Sequence, residues 1–94
     1  MTHMKKIRIE GASDSRYIYP YLDIFFEGED IPFMDIRISD DKVLLFHFFQ
    51  SDKEIELSME QWEALMIKAR DFYTSAIRNE EEYQKSREEE QQDE

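Results

Sequence analysis

Ile55-Glu56-Leu57-Ser58-Met59-Glu60-Gln61-Trp62-Glu63-Ala64-Leu65 is the stretch where an alternating pattern gives way to a helical one. Ser58 is an N-cap residue, with Gln61 three positions on. Its hydroxyl is placed to accept the Gln61 amide while the Gln61 side chain reaches back, the reciprocal capping-box arrangement. Leu57 before the cap and Trp62 after it are spaced as a hydrophobic staple. Downstream, Trp62, Leu65, Met66, Ala69, Phe72, Tyr73, Ala76 and Ile77 recur at steps of three and four, so one helix face is to be buried. No Gly or Pro stops the helix. Glu81 and Lys85 are four apart in the favourable order, so it is expected to continue past Tyr83. Glu88–Glu94 has no apolar residue and is expected to fray.

Upstream of the cap the period is two. Lys6–Glu10 reads as a short strand with Ile7 and Ile9 on one face, and residues 11–15 as a loop. Arg16–Glu27 is the longest strand pattern. One face carries Ile18, Pro20, Leu22, Ile24 and Phe26; the other carries Tyr17, Tyr19, Tyr21, Asp23, Phe25 and Glu27. Pro20 cannot donate to a ladder and marks an edge, a bulge or a break within it. After the Gly28-Glu29-Asp30 turn, residues 33–39 alternate, with Met34, Ile36 and Ile38 inward and Phe33, Asp35 and Arg37 outward. Asp40-Asp41 turns the chain into Lys42–Gln50, which is apolar on both faces. Such a strand is central or part of an interface. Ser51-Asp52-Lys53 turns again, and Glu54–Leu57 reads as a last short strand.

Strands first and one helix last make an α+β chain: an antiparallel sheet of four to five strands with a long C-terminal helix packed on one face. Residues 1–78 form one domain; residues 79–94 form an acidic helical extension and frayed tail. At 94 residues with 40% hydrophobic and 14% aromatic content, one small core is within reach.

Charge and composition narrow the chemistry. Net charge is −11. Residues 79–94 hold eight acids against two bases, and residues 1–78 hold 15 against 10. Such a surface repels phosphate backbones and favours basic partners. There is no cysteine, which removes disulfides and thiolate metal sites and fits a reducing compartment, so the cytoplasm is expected. No targeting segment or membrane span is read. His47 is the only histidine of the body and is expected to be a partly buried residue bonded to a neighbour. Adjacent acids at Asp40-Asp41 and Glu29-Asp30 are turn residues, and Gly11 and Gly28 are too few for a phosphate loop. No catalytic group, metal ligand or cofactor is expected. The expected binding residues are Tyr17, Tyr19, Tyr21, Asp23, Phe25, Phe33, Asp35 and Arg37, because alternate aromatics on a sheet face anchor protein partners or stack bases.

Ile55-x-Leu57-Ser58-x-Glu60-Gln61-Trp62-x-x-Leu65 resembles the strand-to-helix junction of the transcriptional coactivator family called positive cofactor four, which has the Whirly-like single-stranded DNA-binding fold. Asp41-Lys42-Val43-Leu44 resembles that family's preceding strand, and Ala76-Ile77 falls where its helix ends. The resemblance spans residues 33–78. It implies a four-stranded sheet, a helix, a dimer through helix and sheet, and single-stranded DNA on a curved sheet face. Where the family's hairpin is Lys/Arg- and Gly-rich, this chain has Ser51-Asp52-Lys53-Glu54. The composition therefore points first to an acidic binding protein, of inhibitor, immunity or regulatory type, engaging a basic protein and forming a homodimer. A single-stranded nucleic-acid regulator comes second. It requires Arg16, Arg37, Lys42 and Lys53 to gather on the aromatic face.

Overall fold

A computed structural model describes residues 5–92, with side chains through Lys85. Four strands precede one helix: β1 (Ile7–Ala12), β2 (Tyr21–Phe26), β3 (Met34–Ile38), β4 (Leu44–Phe48) and α1 (Met59–Gln92). The sheet is an antiparallel meander in the order β1-β2-β3-β4. The α+β layout and the single covering helix are as the patterns predict.

Alternation sets which face is buried. Ile9 pairs with Ile24, Ile24 with Met34, Leu22 with Ile36, and Ile36 with Phe46. These side chains line one face, where Leu22, Ile24, Phe26, Met34 and Ile36 close against Leu65 and Ala69. Further along the helix, Ala76 closes a second cluster with Tyr19 and Ile38, flanked by Phe72, Tyr73 and Ile77. Burial of this apolar face is the main stabilising term.

The cap forms as expected. The Gln61 amide donates to Ser58 Oγ at 3.1 Å, and the Ser58 amide donates to Gln61 Oε1 at 2.9 Å. Gln61 Nε2 also donates to the Lys5 carbonyl, tying the helix start to the entry of β1. Ser58→Ala is expected to cost about 1 kcal/mol, read as a lowered urea midpoint with unchanged slope. Leu57 packs half-buried on the core. Trp62 sits at its margin, 38% exposed, with its ring 6.5 Å from that of Phe46. The first full anchor of the helix is therefore Leu65.

Two expectations are corrected and a third is narrowed. The strand pattern of residues 16–27 yields a ladder only from Tyr21, because Pro20 breaks it and residues 14–19 bend instead. Glu54–Leu57 is not a strand; Ile55 and Leu57 contact the core, but the segment has no ladder partner. β4 lies at the sheet edge, which removes the central alternative for residues 42–50 and leaves the interface one.

The helix backbone runs through residues 79–92. Asp93 and Glu94, the end of the expected frayed tail, lie outside the described residues. The buried Tyr19 hydroxyl donates to the Glu80 carboxylate, and that bond, with burial, pushes its pKa from 10.0 up to about 12. The folded state thus holds the neutral phenol more tightly than the unfolded chain does. The contact's stabilisation is whole below pH 10 and is lost as pH rises towards 12. The melting-temperature gap between wild type and Tyr19→Phe is expected to narrow across that window.

Candidate functional site

The helix covers one face of the sheet and leaves the other open. Alternation puts the polar and aromatic partners of the core residues there. One row crosses all four strands: Glu10 pairs with Asp23, Asp23 with Asp35, and Asp35 with His47. Arg8 pairs with Phe25 on one side of this row, and Arg37 with Leu45 on the other.

Arg37 is the hub. Its Nε and Nη2 lie 2.8 and 2.7 Å from Asp35 Oδ2, and its Nη1 donates to the Tyr17 hydroxyl at 2.7 Å. The guanidinium stands 4.9 Å from the Tyr17 ring centre and 5.4 Å from that of Tyr21, and the two rings meet edge to face at 5.9 Å. Charge-assisted bonds and ring contacts fix this long side chain in one position before any ligand arrives. The bond to Asp35 raises the Arg37 pKa, holding it charged. Asp35 is fully buried beneath it, and its Oδ1 has no hydrogen-bond partner; His47 Nδ1 is 3.6 Å away. Burial, then the Asp35 charge, raises the pKa of half-buried Asp23.

The other arginines of the face are held too. Arg16 Nη2 lies 2.7 Å from Asp14 Oδ2, which lowers the Asp14 pKa to about 2. Arg8 stacks 4.3 Å from the Phe25 ring centre, and its Nε is 3.1 Å from Glu10 Oε1, close but not aligned for a hydrogen bond. A shallow pocket of about 370 Å³ opens among Arg16, Tyr17, Tyr21, Arg37 and Leu45. A larger hollow of about 490 Å³, bounded by Glu29–Phe33 and Phe49–Lys53, lies apart from this network and gathers turn residues.

Of the expected binding residues, Tyr17, Tyr21, Asp23, Phe25, Asp35 and Arg37 come together here. Tyr19 and Phe33 do not. Tyr19 lies before the break at Pro20, where alternation ends, and turns under the helix. Phe33 precedes the first ladder residue of β3, and its ring stacks on Phe26 in the core at 4.3 Å. His47 is 54% exposed at its side chain rather than partly buried. Arg8, Glu10, Leu45 and His47 belong to the face without having been singled out as binders. Their signal was available, since they alternate with Ile7, Ile9, Leu44 and Phe46.

Among the described residues no three or more His, Cys, Asp or Glu side chains gather to hold a metal ion, and no helix is long and apolar enough to cross a membrane. Of the four cations that a nucleic-acid face requires, Arg16 and Arg37 are present. Lys42 sits in the β3–β4 turn, where its carbonyl accepts from Tyr73, and Lys53 lies 3.6 Å from Glu29. Comparison with family models, curated proteins and solved structures gave no match.

Proposed function

We propose that this chain is a non-enzymatic acidic binding protein, of inhibitor, immunity or regulatory type, whose open sheet face docks a basic protein. One observation carries the reading. Arg8, Arg16 and Arg37 on that face each already stand against a carboxylate, while Asp23 has none of them at ion-pair distance. A cation brought by a partner meets Asp23, framed by Tyr21 and Phe25. A phosphate backbone meets arginines whose charge is spent. Tyr17, Tyr21 and Arg37 supply rigid aromatic and guanidinium contacts of the kind that dominate protein interfaces. The same reading includes a homodimer, because β4 is apolar on both faces, and a cytoplasmic setting, which the lack of cysteine favours.

The test is affinity capture from the native host, with the full chain and its Tyr21→Ala/Asp23→Lys variant as parallel baits. The expected result is a basic protein held by the wild type and lost by the variant. Equal recovery by both baits overturns the site. The neighbouring rings of Tyr17 and Tyr21 on the open face favour one competing reading, single-stranded nucleic acid of the coactivator type. Salt-sensitive binding of fluorescent oligo-dT well below about 10 μM, with no basic protein captured, reverses the choice.

A further inference from the structure

The two edges of the sheet are built differently. Edge strand β1 carries the Arg8–Glu10 ion pair and Gly11. Charges and breaks of this kind keep an edge from pairing with another chain. Edge strand β4 has no such protection. From Val43 to Gln50 there is no Asp, Glu, Lys, Arg or Pro. Its five residues pair with β3 without a bulge.

Hydrogen bonding shows which backbone groups this edge offers. The Ser39 amide donates to the Val43 carbonyl and the Phe49 amide to the Phe33 carbonyl, so odd-numbered residues of β4 turn towards β3. Antiparallel alternation then aims the amides and carbonyls of Leu44, Phe46 and Phe48 outward. Around them Val43 is 50% exposed, Leu45 46% and Phe48 51%. Trp62 stands beside Phe46 on the helix side.

We infer that β4 pairs with β4 of a second copy, antiparallel, about a twofold axis at Phe46. This rests on the homodimer reading above and gives it a place and a register. Phe46 faces its own counterpart and Leu44 faces the partner's Phe48, each pair exchanging both backbone bonds. The two sheets become one. The arrangement is self-complementary, as a twofold contact must be. Charge selects the occupant. A basic partner finds no carboxylate on residues 43–50, whereas a second copy brings the same uncharged run. In a chain of net charge −11, this is where two copies meet with least repulsion. The open face stays uncovered, so the dimer presents two Arg37 networks on one side of a continuous sheet, an arrangement suited to bivalent capture.

The experiment uses the full chain. Light scattering at concentrations of order 100 μM is expected to give a dimer, and Phe48→Lys, a change outside the core clusters, a monomer with unchanged circular dichroism. Emission of Trp62, the single tryptophan, is expected to shift to longer wavelength on dilution. Because the chain lacks cysteine, the register is testable by oxidation. Leu45 faces the partner's His47, so a mixture of Leu45→Cys and His47→Cys chains is expected to cross-link faster than either alone. A monomer at all concentrations overturns both this inference and the homodimer reading. A dimer that Phe48→Lys leaves intact, or cross-linking without preference for the mixed pair, overturns β4 pairing and leaves the homodimer standing. Capture of the basic protein by monomeric Phe48→Lys is a separate readout, which tests only the open face.

Discussion

Leu65→Ala is expected to lower the unfolding free energy by about 3–4 kcal/mol. Leu65 is 1% exposed and is the first helix side chain to enter the core, closing with Ile24, Met34 and Ile36, each 0% exposed. Deleting it removes its own transfer free energy and leaves a cavity that these β-sheet neighbours are too constrained to fill. A domain of this size has about 5–15 kcal/mol of stability in total, so the variant spends a large share of it. Its melting temperature is expected to fall by roughly 15–25 °C. A calorimetric shift under 5 °C would show that Ala69 and Phe72 hold the helix without it. Leu65→Met, which nearly conserves volume, is expected to cost less than about 1.5 kcal/mol.

The second large effect lies on the other face. Arg37→Ala is expected to cost about 2–4 kcal/mol, because it leaves the buried Asp35 carboxylate without its cation. The double variant Asp35→Ala/Arg37→Ala is expected to be more stable than Arg37→Ala alone, since it removes the orphaned charge together with its partner. Chemical denaturation of the wild type, both single variants and the double variant closes the cycle. Additive losses would mean that the two side chains act independently, against the geometry. The double variant also separates stability from function. It restores most of the folding free energy but not the guanidinium that links Tyr17 and Tyr21, so partner binding is expected to stay lost.

The helix was legible because its signals are local. Ser58 and Gln61 are three residues apart, and the spacing from Leu65 to Ala69 to Phe72 carries its own geometry. Strands are legible only while the pleat continues. Period-two reasoning assigned the core face correctly from Leu22 to Phe26 and from Met34 to Ile38. It failed at Tyr19, which lies before the break at Pro20, and at Phe33, whose amide donates to the Ile24 carbonyl although Ile24 already pairs with Met34, so that two residues oppose one and the alternation slips. Glu54–Leu57 failed for a different reason. Its pattern suits a strand, but a strand also needs a neighbour, and alternation carries no information about which neighbour is present. The open face was half legible. That Asp23, Asp35 and Arg37 point away from the core follows from alternation. That Asp35 meets Asp23 on one side and His47 on the other follows from register, which the turns at residues 27–33 and 39–43 determine. The apolar strand 42–50 could be read as central or interfacial, and its position at an edge leaves the second alternative to be tested.

The meander has a kinetic consequence. Every ladder joins strands adjacent in sequence, so each hairpin closes a short loop and the sheet can assemble by successive zippering, with no crossover to thread. The helix is different: Gln61 reaches back 56 residues to Lys5. Contacts of that span cost the most chain entropy and are made late. Lesions in the β2–β3 or β3–β4 hairpins should therefore act mainly by slowing refolding, and lesions along the helix by hastening unfolding. The helix then acts as the latch that sets the lifetime of the native state, while the sheet sets how quickly that state is reached.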